Sequence, residues 1–241
     1  MSTDRFEERR RTVRHSRWRR WTLGVLSVVV LGVLVWLVWF SSILAVHTVK
    51  VEGLSTLDAA AVREQAAIPD GRPLARIDTV EIEARVAALD RVERVSVTRD
   101  WPRTVRITLA ERKAVAWIRD GDEIRGVDRY GIDFRTFEKA PKGLYELRLD
   151  ISDSDGRQRA LEGAASVVQT IRTQAPDLDG QVRHINVGSQ DDIQLALDDD
   201  RSVMWGSAGK ASQKLRVLEP LLRIDAREYD VSAPEQPTTK E

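Results

Sequence analysis

The chain contains no cysteine. That absence removes disulfides, a thiol nucleophile and any cysteine-based zinc site, and it fits either side of a membrane. Histidine is nearly as scarce. His15, His47 and His184 stand too far apart in sequence to form a ligand pair on one helix. No Walker loop and no dinucleotide-binding glycine fingerprint occurs. Net charge is absent as well, since 38 basic residues balance 38 acidic ones. The balance hides an asymmetry. Residues 1–20 hold eight arginines against Asp4, Glu7 and Glu8, a local charge of 8 − 3 = +5, so the remainder carries −5.

The next stretch lacks charge altogether. From Trp21 to Val46 the sequence reads WTLGVLSVVVLGVLVWLVWFSSILAV. As a helix, this run would reach roughly 39 Å, more than the ~30 Å of a bilayer core, so it predicts a tilted transmembrane helix over 21–46. Trp18 and Trp21 stand at one end, and Trp36, Trp39 and Phe40 toward the other, where amphipathic rings favour the interfaces. The run is too long for the apolar region of a cleaved signal peptide. The arginine cluster before it, residues 9–20, predicts a cytoplasmic tail over 1–20 and an extracytoplasmic location for everything after the span. A basic tail can also bind nucleic acid. Beside a membrane span, however, its charge reads as a topology signal with contact to inner-membrane lipid, and no nucleic-acid role is assigned.

Beyond the membrane, Val49 and Val51 alternate with Lys50 and Glu52 up to Gly53, as in a strand. Ser55 with Asp58 suggests a helix start, after which Ala59, Val62 and Ala66 share a helical face. Asp78 precedes a second helix that carries Ile82, Val86 and Leu89 at helical spacing. A hairpin follows. Val95 and Val97 alternate with Ser96 and Thr98, and Val105, Ile107 and Leu109 alternate with Thr104, Arg106 and Thr108. The order strand, helix, helix, strand, strand implies two helices on one face of a three-stranded sheet.

These residues carry a resemblance. The segment with Gly53, Gly71 and Leu74, then Arg99, Trp101 and Pro102, the apolar strand Val105, Ile107 and Leu109, and the pair Glu111 and Arg112 resembles the POTRA domain of the bacterial cell-division family FtsQ/DivIB. Ala114 stands where the family usually has proline. The hairpin GVDRYGIDF with Gly131 at its turn, the run VMWGSAGKASQKLRVLEPLL and the late YDVS resemble the family's second domain. The expected fold class is therefore α+β: one N-terminal transmembrane helix, a POTRA domain (β-α-α-β-β) over 47–114, and a mostly-β second extracytoplasmic domain over 115–231. Residues 232–241 are proline-rich and poor in apolar side chains, and are expected to be disordered.

Within the second domain, alternation predicts strands at LYELRLDI and DIQLALD, with Asp198, Asp199 and Asp200 at a turn. Helices are predicted from Gly156 and from Gly209, the latter with Leu215, Leu218 and Leu222 on one face. Chemistry-bearing patterns are weak. Asp153, Asp155, Gly156 and Glu162 fit four positions of a calcium loop, but Ile151 fills the first position and a strand precedes it. Ser207 near Lys210 could be drawn as a Ser–Lys hydrolase, although nothing orients a base. His47 lies at the membrane edge, where an interfacial role is expected. No catalytic residue, metal or cofactor is assigned, and the chain is not expected to be an enzyme.

The resemblance implies a scaffold of the division machinery at the septum. Its implied partners are small bitopic coiled-coil proteins of the FtsB/DivIC and FtsL type, besides other divisome membrane proteins. It implies contact at the end of the second domain, here Tyr229, Asp230, Val231 and Ser232, with Tyr229 and Val231 on one strand face and Asp230 and Ser232 on the other. One of these faces could instead pack on the domain core. An additional final strand found in some relatives is expected to be missing. The alternative class is another membrane-tethered POTRA protein that binds exported or unfolded chains.

Overall fold

The computed structural model describes residues 5–151 and 154–241. They fall into two compact units, Met1–Glu111 and Arg112–Glu241. Helix α1 runs from Arg5 to Phe40, and its apolar part, Trp21–Phe40, is long and apolar enough to cross a membrane. Those 20 residues rise roughly 30 Å, which matches the hydrocarbon core without tilt. The span therefore ends earlier than the charge-free run. The Ser41 hydroxyl accepts from the Ile43 N–H and opens a short 3-10 turn, Ser42–Leu44. Val46 is buried in the next domain, and its N–H donates to the Arg72 carbonyl at 2.9 Å. Absence of charge does not separate lipid-facing residues from residues that enter a protein core.

The rest of the first unit has the expected order: β1 (Thr48–Glu52), α2 (Ala59–Ala66), α3 (Thr79–Ala87), β2 (Val92–Asp100) and β3 (Thr104–Glu111). The sheet order is β1-β3-β2, with β1 parallel and β2 antiparallel to β3. Val97, Val105, Ile107 and Leu109 are buried with Val62 and Ala66 of α2 and Ile82 and Val86 of α3, so the apolar hairpin face packs on the helices. Asp58, not Ser55, caps α2, and Asp78 caps α3 by accepting from Val80 and Glu81 N–H groups. Gly53 has φ +86°, and a Cβ there would lie 1.9 Å from the Leu109 carbonyl oxygen. The strand therefore ends on a glycine for both conformational and steric reasons.

The Glu111–Arg112 pair divides between the two units. The Glu111 carboxylate closes the first by accepting from the N–H groups of Ser55, Thr56 and Leu57 and from the Thr56 hydroxyl, at 2.5–3.0 Å. Burial alone would raise its pKa. The Thr56 hydroxyl and the three N–H donors outweigh that effect and hold the pKa down to about 2. The first unit ends here, three residues before the expected boundary. Arg112 opens the second unit and pairs with Asp128 at 2.5 Å.

The second unit contains β4 (Ala114–Asp120), β5 (Glu123–Asp128), β6 (Asp133–Phe137), β7 (Tyr145–Leu149), α4 (Ser154–Gln174), α5 (Pro176–Asp179), β8 (Val182–Ser189), β9 (Asp192–Leu197), β10 (Ser202–Met204), α6 (Ala211–Leu221), β11 (Glu228–Asp230) and β12 (Thr238–Lys240). Among the described residues they form one nine-stranded sheet, in the order β12-β11-β10-β9-β8-β7-β4-β5-β6. The apolar stripes of α4 and α6 bury against alternate strand positions such as Ile185, Val187, Ile193 and Leu195. Buried Asp128 organises the β5–β6 turn, accepting from the Tyr130 and Ile132 N–H groups at 2.8 and 2.9 Å. At the same turn Gly131 has φ +75°, and a Cβ there would lie 2.3 Å from the Glu162 nitrogen of α4.

The expected disorder of the last residues needs correction. The last residues are not a disordered tail, because β12 pairs antiparallel with β11 through Glu228↔Lys240, Tyr229↔Thr239 and Asp230↔Thr238. A short strand needs little apolar content of its own when its neighbour is already fixed in a core. The calcium-loop pattern, which is not assigned as a site, falls partly in a helix. Asp155, Gly156 and Glu162 lie within α4, and Asp153 lies outside the described residues.

Candidate functional site

The C-terminal edge of the nine-stranded sheet is assembled from β10, β11 and β12. Strand β10 returns from β9 through the Asp198–Asp200 turn and pairs antiparallel with it, whereas β11 joins β10 in parallel after the α6 crossover. Tyr229 and Val231 are 1 % and 0 % exposed. The Tyr229 hydroxyl donates to the Ile224 carbonyl at 2.8 Å, and the Val231 N–H donates to the Met204 carbonyl at 3.0 Å. Their side chains therefore lie in the core with Val203, Trp205 and Leu218 and do not form a contact surface. Asp230 is half-buried and accepts from the N–H and hydroxyl of exposed Ser232 at 2.8 and 2.7 Å, which ends the strand.

Lys214 of α6 supports this edge from below. It is 1 % exposed, and its Nζ donates to the Trp205 and Ser207 carbonyls at 2.8 and 2.7 Å. Burial lowers its pKa, Asp230 opposes the shift, Lys210 adds to it and Asp191 also opposes it. The Trp205 ring lies 5.8 Å from Nζ. The ammonium thus ties the helix to the segment that follows β10. Helical spacing was a usable signal for this residue, since Lys214 and Leu218 are four apart and share a face.

The remaining connection is also ordered. Lys210 pairs with Glu235 at 2.5 Å, and the Gln236 N–H donates to the Ala233 carbonyl at 2.9 Å. Lys210, drawn as a base beside Ser207, is therefore a charged partner of Glu235. Beyond this turn, Thr238, Thr239 and Lys240 are exposed. Strand β12 ends the strand order, so among the described residues one side of its backbone has no ladder partner. An edge of this kind offers N–H and C=O groups to an added strand. Of the four residues expected at the contact, Tyr229 and Asp230 lie in β11, one strand inward from it, and Val231 and Ser232 follow that strand. The β-branched pair Thr238–Thr239 was the sequence signal for the missed strand.

Comparison with known proteins agrees with this architecture. The profile of the POTRA domain, FtsQ-type, matches residues 44–112. A cell division protein FtsQ from Streptomyces collinus is 37% identical over 208 residues, covering 83% of this chain and 79% of that protein. The FtsQ of Streptomyces griseus is 37% identical over 204 residues, with 82% and 97% covered. That of Mycobacteroides abscessus is 34% identical over 201 residues, with 83% and 63% covered.

Proposed function

The chain belongs to the FtsQ family of cell division proteins, and from that premise we propose that it is a non-enzymatic scaffold which joins division proteins across the membrane at the septum. Its role is division-related and its anchor is the apolar helix Trp21–Phe40. The arginine-rich segment before that helix supports a cytoplasmic N-terminus and two extracytoplasmic units. Family membership favours this reading over a POTRA protein that binds exported or unfolded chains.

The observation that carries the reading is the open outer side of β12, held in register by a core-fixed β11. The proposed partners are small bitopic coiled-coil proteins of the FtsB/DivIC and FtsL type. One of them adds a strand at β12, where main-chain hydrogen bonds set the register and alternate side chains give specificity. Successive residues of a strand point their N–H groups to opposite sides, so Thr238 or Thr239 presents one outward. Proline at that position removes the donor.

The test is co-purification of the full chain with these partners, comparing the unaltered protein with Thr238→Pro and Thr239→Pro. One of the two variants loses the partner while its circular dichroism and its septal localisation remain. Retention of the partner by both folded variants removes β12 from the contact. An even distribution of the unaltered chain around the cell overturns the septal scaffold.

A further inference from the structure

The Arg-x-Trp-Pro turn, Arg99–Pro102, is not used by the proposed partner contact, and its position gives it a second role. Strand β1 starts eight residues after the span ends at Phe40, and Thr48 of β1 is paired in parallel with Thr104 of β3. The start of β3, and the turn leading into it, therefore lie at the membrane-facing end of the sheet. The connection is short. The Arg103 Nε donates to the Ile43 carbonyl at 2.7 Å, and the Arg103 carbonyl accepts from the His47 N–H at 2.9 Å. Ile43 lies three positions beyond the end of the span, at most roughly 11 Å of chain, so this end stays close to the headgroups.

Four exposed arginines gather there: Arg72, Arg76, Arg99 and Arg103. The Arg76 guanidinium lies 4.2 Å over the ring of Phe40, the last residue of the helix. Arg99 donates to the Ile77 carbonyl at 2.7 Å. Among the described residues none of the four forms an ion pair with a carboxylate. Two nearby acids are otherwise engaged, Asp78 as the α3 cap and Asp100 with Arg106 at 2.6 Å, while exposed Asp70 forms no ion pair with the four. Trp101 stands at the tip of the turn and is 50 % exposed. A half-exposed indole among guanidinium groups without direct ion pairs, continuous with the end of a membrane span, has the chemistry of an interfacial anchor.

We propose that this collar, Arg72, Arg76, Arg99 and Arg103 around Trp101, docks the POTRA unit on the anionic phospholipid headgroups of the leaflet where the span ends. Arginine binds phosphate through paired N–H donors, and the indole enters the interface beside them. Individually weak contacts suffice, because the span holds the collar at a high effective concentration near its target. The docked state sets the tilt of the POTRA unit on the membrane.

The chain has no cysteine, so one cysteine introduced at exposed Thr98 takes a single fluorescent donor. The full chain is reconstituted in nanodiscs of phosphatidylcholine, alone or mixed with phosphatidylglycerol, with a trace of headgroup-labelled acceptor lipid. Energy transfer rises with phosphatidylglycerol and returns to the phosphatidylcholine level in molar salt, where the screening length is about 3 Å. Arg72→Gln removes a side chain with no hydrogen bond in the fold and lowers the docked-to-free ratio roughly fivefold. Trp101→Ser lowers transfer even at molar salt. Equal transfer in the two lipids overturns the proposal, and an acidic protein surface then becomes the reading for the collar. A phosphatidylglycerol response that survives Arg72→Gln undiminished also overturns it. The salt and lipid comparisons on the otherwise unaltered chain need no destabilising substitution.

Discussion

Replacing Glu111 by glutamine changes one oxygen to an amide and tests how the POTRA unit is closed. The carboxylate accepts from three backbone N–H groups and one hydroxyl of the Ser55–Leu57 loop. Glutamine keeps a single acceptor oxygen and turns N–H donors toward N–H donors. A folded pKa of about 2, against 4.5 for the free group, corresponds to about 3 kcal/mol at 1.36 kcal/mol per pH unit. The carboxylate lies near the surface, where water weakens such terms, so the expected loss is about 1–2 kcal/mol. The sign follows from linkage. A carboxylate with a depressed folded pKa stabilises fully above its unfolded value, and the contribution disappears as pH falls through the folded one. The variant is therefore less stable than the parent at neutral pH, and the two converge as pH falls from about 4.5 toward about 2. The assay is urea unfolding of the full chain in detergent at a series of pH values, with a reporter in the first unit. An equal deficit at neutral pH and near pH 2 would refute the charge-in-a-loop explanation, and so would no deficit at all.

Tyr229 gives a graded test of the core assignment at the sheet edge. Tyr229→Phe removes one bond to the Ile224 carbonyl and costs about 1 kcal/mol, whereas Tyr229→Ala empties a core position and costs about 3–5 kcal/mol. Chemical unfolding measures both, and an alanine variant as stable as the parent would return Tyr229 to the surface. His184 predicts a pH dependence of the second unit. Burial first, and the positive charge of Arg148 next, lower its pKa below 6.5, so the unfolded chain takes up the proton earlier. Stability contributed by the neutral ring is present above about pH 6.5 and declines as pH falls below it. His184→Gln flattens that part of the stability profile, and an unchanged slope would remove His184 as its source.

The membrane span, the POTRA order and the helix capped by Asp78 were legible in the sequence because they rest on short-range patterns. A charge-free run, a period of two or 3.6, and an acid before a helix each act over a few neighbours. The paired motif Glu111–Arg112 was visible as a pattern, but its two separate partners were not. Thr56 and Asp128 lie 55 residues before Glu111 and 16 after Arg112. Alternation placed Tyr229 and Val231 on one strand face and could not say that this face meets α6. That choice depends on the α6 crossover, which brings Leu218 and buried Lys214 beneath β10 and β11. The same reason hid β12. Thr238–Lys240 has little apolar content, and its strand exists because β11, already fixed on distant β10, offers it an edge to pair with. Val46 completes the contrast, since its lack of charge suits a membrane and a core equally well. Only the fold, through the Arg72 carbonyl and the burial around it, assigned Val46 to the core.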